Sequence, residues 1–225
     1  MPEWVAKYSY DAAGPEQRWI NLGSAPTEMV IGWVTAETDA ESVVGYSTTP
    51  GGPYTQVTGT SDYYVYGARY TSGLIHHVTL TGLRLNTPYY YVLGAAGAQS
   101  SEAYFNSSRG VGAVYPYTLA AIGDLGESAQ AQTTVSLLKS GFDHIDTVNF
   151  NGDISYASGC EKSGCTTWDA LQRMMEPVTM TLPTMVEIGN RACASSAPAC
   201  PPAPCQHHAA TPHLLLFLSP RAQTR

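Results

Sequence analysis

Three short segments set oxygen-bearing side chains just past apolar, β-rich runs: GDLG at 123–126, GDISYA at 152–157 and GN at 189–190. Asp124, Asp153 and Asn190 therefore fall at strand ends, where hard oxygen donors can meet a pair of metal ions. The chemistry that such a set would serve is hydrolysis of a phosphate ester. Two metals bridged by a carboxylate lower the pKa of a bound water, neutralise phosphoryl oxygens and orient the attack. Asp124 is the candidate terminal ligand and Asp153 the candidate bridge. Tyr156, three residues on, can reach the same ion as a phenolate, and Asn190 offers a neutral carbonyl to the second ion. A lone GD dipeptide after a strand is usually an ordinary turn. The signal lies in the ordered set, spaced by 29 and 37 residues.

These residues need a frame. Between about 17 and 108, Pro, Gly, Asn and Asp divide the chain into seven strands at 17–24, 29–36, 42–49, 54–66 (bent or bulged), 74–82, 88–94 and 103–107. That density predicts an antiparallel β-sandwich of immunoglobulin-like type over 15–110. Beyond the connector 107–116 the period changes. A buried strand at 117–124, a helix at 128–141 ending at Gly141, a strand at 146–153, a helix at 166–175 capped by Thr166 or Thr167, and a strand at 184–190 alternate as β-α-β-α-β. This predicts the start of a parallel sheet over 116–190, with ligands bound outside the carboxyl ends of its strands. The truncated sheet is expected to show an open edge and an uncovered face.

Composition excludes several classes. The chain has 225 residues, 44% of them hydrophobic, and a formal charge of −7, which argues against a general nucleic-acid or anionic-membrane surface and favours a small-molecule partner. The longest dense apolar run, Leu214 to Leu218, is five residues, far short of the roughly 20 needed for a membrane span. The N-terminus lacks the basic start and apolar stretch of a secretory signal. Of five cysteines, Cys160 and Cys165 could form a local disulfide or remain free thiols. Residues 191–225 contain no Asp, Glu or Gly, although the preceding residues hold all 18 acids and all 21 glycines. They read as an aberrant, solvated tail produced by intron read-through or a frame change. His207, His208 and His213, with Cys200 and Cys205, match no structural zinc pattern there. His76 and His77 lie in a strand and read as structural rather than metal-ligating. Asn106-Ser107-Ser108 is the one N-glycosylation sequon.

Two resemblances sharpen this reading. GLRLNTPYYYVLG at 82–94 resembles the fibronectin type III signature through Leu83, Thr87 and Tyr89, with Tyr89 as the corner tyrosine whose hydroxyl bonds back to the loop. From about Pro15 to Asn190, the segments PEQ (15–17), SGLIHHVTLTGL (72–83), PYTLAAIGDLG (116–126) and GDISYA (152–157) resemble the N-terminal half of plant-type purple acid phosphatases. Those enzymes place a fibronectin-like domain before a metallophosphoesterase domain. The resemblance implies an acid phosphatase that hydrolyses phosphate monoesters with a metal-bound hydroxide, Fe(III) held by Tyr156, and a second divalent Fe, Zn or Mn. It also implies secretion and, often, a homodimer. The family follows the Asn with a His, where this chain has Arg191, and draws its histidine ligands from later motifs. Asp124, Asp153, Tyr156 and Asn190 are the ligands that this sequence supplies, so weak metal binding with little hydrolysis is expected. The alternative is a non-catalytic fragment or a binding or regulatory remnant. The broader diesterase relatives share the GD and GN segments but are disfavoured by Tyr156.

Overall fold

The computed structural model describes residues 14–36, 40–66, 70–95, 99–112, 116–156 and 166–187. Ten strands occupy the first part: β1 Glu16–Leu22, β2 Met29–Thr35, β3 Val43–Ser47, β4 Thr55–Thr58, β5 Thr60–Asp62, β6 Val65–Tyr66, β7 Tyr70–Thr71, β8 Leu74–Leu80, β9 Pro88–Leu93 and β10 Ala103–Asn106. Eight of them form two four-stranded sheets, ordered β1-β2-β8-β5 and β10-β9-β3-β4, and β6 pairs with β7 as a separate ribbon. All pairings here are antiparallel. The inward residues alternate as period-2 strands require. Ile20, Ile31, Trp33, Val78 and Leu80 from one sheet meet Val44, Tyr91, Leu93 and Phe105 from the other in a single core.

The segment expected as one bent strand over 54–66 is divided. β4 pairs with β3 in one sheet, while β5 pairs with β8 in the other. The switch falls at Gly59, where a Cβ would stand 1.9 Å from the His77 carbonyl oxygen. Only glycine lets the backbone pass so close to β8. Tyr89 and Tyr91 share the buried face, and the Arg84 N–H donates to the Tyr89 hydroxyl at 2.9 Å, closing the corner. His76 is fully buried. Its ring stacks on Trp33 at 4.7 Å, and its nitrogens bond Thr35 Oγ1 and Ser42 Oγ, each at 2.9 Å.

Burial first, and the neighbouring His77 second, hold His76 down at about 4 instead of 6.5. The native state therefore favours the neutral ring. Its stabilisation is fully present above pH 6.5 and is lost as the pH falls through about 4. The melting temperature is accordingly expected to fall between pH 7 and pH 4, with a shallower slope in His76→Gln. Equal slopes in thermal scans would place the acid sensitivity elsewhere.

The second part is β11 Leu119–Ile122, α1 Ala129–Ser140, β12 Thr147–Asn151, α2 Thr167–Thr179 and β13 Thr184–Glu187, with a 3-10 turn at Phe142–His144. The strands form a parallel sheet in the order β11-β12-β13. The Ser128 side chain caps α1 by accepting from Ala131 N–H, and Gly141 ends it. Ala131, Val135 and Leu138 of α1 join Leu171, Met175 and Val178 of α2 over Val148 and Phe150. On the edge strand β13, Met185 and Val186 remain exposed.

α2 runs to Thr179, beyond the expected end at 175 and through Pro177. Proline removes one helical hydrogen bond, but the added turn buries Val178 and Thr179. The helix also docks on β1. Glu16 pairs with Arg173 at 2.6 Å and Arg18 with Glu176 at 2.7 Å. Gln17 N–H donates to Glu176 at 2.6 Å, and the Thr179 hydroxyl donates to the Arg18 carbonyl at 2.7 Å. The register of β1 on β2 shifts between Glu16 and Trp19, and Gln17 takes φ 53°. This bulge turns the Gln17 N–H away from β2 and toward the helix. Tyr91 reaches across as well, donating to the Met180 carbonyl at 2.7 Å.

Candidate metal centre

β11 and β12 lie side by side in parallel, with Ile122 opposite Phe150, so the loops that leave them emerge together at the carboxyl end of the sheet. Gly126 N–H donates to the Ile154 carbonyl at 2.8 Å and Asp124 N–H to the Gly152 carbonyl at 3.4 Å. These bonds zip the GDLG loop to the GDISYA loop. Across the zip, the Tyr156 hydroxyl donates to Asp124 Oδ1. Asp153, on the second loop, is half-buried, while Asp124 and Tyr156 are exposed.

The backbone at these positions is unusual. Asp124, Asp153 and Tyr156 have φ of 54°, 48° and 52°, and among the described residues only Gln17 and Asn86 join them as non-glycine residues at positive φ. A left-handed tyrosine is disfavoured sterically, and such conformations cluster where geometry serves function. Gly126 takes φ 59° beside the Tyr156 ring, a left-handed conformation that glycine adopts without strain.

The donor set fits a single hard cation. Two carboxylates and a phenol are all oxygen ligands, and the phenol proton already rests on Asp124 where a cation would replace it. Among the described residues no three His, Cys, Asp or Glu side chains group to hold a metal. Asn190 and Arg191 lie outside the described residues, as do Cys160, Cys165 and the whole of 191–225. Asn106 is exposed at the end of β10.

Glu127 was not singled out in the sequence. Its Oε1 is buried without a hydrogen-bond partner, and burial pushes its carboxyl up to about 7. The only signal was a carboxylate directly after GDLG, at a position where a helix entry would also place one. Nor did any local pattern mark Gln17, Asp169 or Glu176 as the residues joining the two parts of the chain.

The family described as "Purple acid Phosphatase, N-terminal domain" matches residues 15–107. Purple acid phosphatase 22 of Arabidopsis thaliana is 34% identical over 176 residues, covering 78% of this chain and 37% of its own length. The phosphoenolpyruvate phosphatase of Allium cepa is 34% identical over 178 residues, covering 78% and 36%. The chain thus spans little more than a third of the length of these relatives. Among solved structures, the purple acid phosphatase PPD1 from yellow lupin (Lupinus luteus) seeds superposes with a TM-score of 0.69 at 21% identity, covering 79% of this chain and 35% of that one. That likeness speaks for the fold alone. Sequence and fold agree, and the chain belongs with the plant-type purple acid phosphatases.

Proposed function

We propose that this protein is an acid phosphatase acting on phosphate monoesters, with Asp124, Asp153 and Tyr156 holding Fe(III) and Asn190 serving a second divalent ion, Fe, Zn or Mn. The observation that carries this reading is the set of three left-handed non-glycine residues, with Tyr156 on Asp124. A bound ion pair would neutralise phosphoryl charge and polarise the ester. The chain's own part is to prearrange the donors. The two backbone bonds between the loops fix Asp124 relative to Asp153. On binding, the Tyr156 hydroxyl gives up the proton that it shares with Asp124. Small phosphate esters as substrates, a homodimer, and secretion with a glycan on the exposed Asn106 belong to the same proposal.

The test is to load the purified chain with Fe(III), record the visible absorbance of an iron tyrosinate, and assay phosphomonoester hydrolysis. A colour band that is lost in Tyr156→Phe, with weak hydrolysis that Asp153→Ala abolishes, is the expected result. A colour band without hydrolysis would favour the non-catalytic remnant. Neither colour nor hydrolysis would refute the assignment.

A further inference from the structure

Where the chain crosses between sheets at Gly59, it leaves a cavity. β4 ends the β10-β9-β3-β4 sheet and β5 ends the β1-β2-β8-β5 sheet, so two outer strands part there, and residues 40–42, ahead of β3, line the gap. Its volume is about 510 Å³, within the range of small-molecule sites. The walls are tied together by backbone bonds. Gly59 N–H donates to the Ser42 carbonyl at 2.8 Å, and Val43 N–H to the Glu41 carbonyl at 3.1 Å.

The lining discriminates between ligands. Leu74 and Val43, both buried, give it an apolar patch. Ser42, Thr58 and Ser61 add hydroxyls, and Glu41 is the one charged residue among the described lining residues. Ser42 Oγ lies 2.9 Å from Nδ1 of His76, whose buried ring is neutral near pH 7, so no positive charge stands behind it. The Glu41 carboxylate and the Thr58 and Ser61 hydroxyls have no partner among the described residues. A lone carboxylate repels anions and is too little for a divalent ion, which takes about six or more oxygen ligands. An ammonium asks for less. Its three N–H donors are met by a carboxylate and hydroxyl oxygens, and its alkyl stem can lie on apolar surface such as Leu74.

We propose that this cavity binds a primary alkylammonium group, the chemistry shared by a free amine and a lysine side chain. Glu41 takes the charge, the Thr58 and Ser61 hydroxyls accept from the remaining N–H groups, and Leu74 receives the methylenes. The formal charge of −7 draws a cationic ligand toward the chain from a distance. All of the lining comes from the two-sheet part of the chain, so the site stands apart from the Asp124 cluster and from the phosphatase reading.

Titration of butylamine and of butanol into the isotope-labelled full chain at neutral pH, followed by the amide shifts of Val43, Gly59 and Ser61, tests this. Butylamine is expected to move those amides with millimolar affinity, roughly 3- to 5-fold more tightly than butanol, and Glu41→Gln should bring the ratio close to one. Added salt should weaken the amine alone. Glu41 is exposed, so the variant should fold, as an unchanged melting temperature would check. A parallel titration with Nα-acetyl-lysine methylamide separates the two sources. Tighter binding than butylamine would support a lysine of a partner chain, and weaker or equal binding a free amine; either result upholds the site. Equal binding of amine and alcohol, a ratio that Glu41→Gln leaves unchanged, or no shift at these amides would overturn the proposal.

Discussion

Replacing Glu176 with alanine is expected to loosen β11–β13 from the two-sheet part of the chain, at a cost of about 3 kcal/mol. Glu176 takes both the Arg18 guanidinium and the Gln17 N–H. The Arg18 and Glu176 side chains are only 13% and 18% exposed, so the partner left behind is a charge largely removed from water. Breaking such a pair costs far more than the intact pair contributes, because the orphaned ion keeps its desolvation penalty. Gln17 also loses the bond that holds it at φ 53°. Native-state hydrogen exchange should then show faster exchange at Val148 and Phe150, with amides of β2 and β9 still protected. A reversed pair, Arg18→Glu with Glu176→Arg, should recover part of the loss. If Glu176→Ala leaves exchange in β12 unchanged, the apolar face of α2 carries the docking alone.

Tyr91→Ala is expected to cost about 3–5 kcal/mol. The ring is fully buried, packs 5.9 Å from Phe105, and sends its hydroxyl to the Met180 carbonyl just past α2. Burial pushes the phenol well above its ordinary pKa, so it remains a neutral donor at any working pH. Tyr91→Phe isolates the hydroxyl: it preserves the ring and leaves the Met180 carbonyl to find another donor, for about 1 kcal/mol. Urea midpoints with unchanged slopes would measure both. A Phe variant as unstable as the Ala variant would mean that the hydrogen bond between the two parts outweighs the ring.

Much of the frame was legible because its signals are local. Alternation of apolar residues placed β2, β8 and β9 to within about two residues. Gly141 marked the end of α1, whereas the Ser128 cap that starts it was read from the structure. Tyr89 was legible as a corner because its partner, Arg84 N–H, lies five residues away. The same locality misled at 54–66. Nothing in that run shows that Thr55–Thr58 and Thr60–Asp62 belong to different sheets, since that depends on β8 passing within reach of Gly59. The early end assigned to α2 had the same origin: nothing in the run around Pro177 shows that Val178 and Thr179 are buried.

Sequence alone supplied the types and order of the candidate site residues, Asp124, then Asp153 and Tyr156, then Asn190, because strand ends and the chemistry of oxygen donors are written in consecutive residues. Only the tertiary structure decided how Asp124 and Tyr156 meet. Tyr156 touches Asp124 across 32 residues, and Gln17 touches Asp169 across 152. The backbone at Asp124, Asp153 and Tyr156 is held at positive φ against the preference of those residue types. Contacts over such separations, and strain held by surrounding packing, are properties of the assembled whole that no window of neighbouring residues contains.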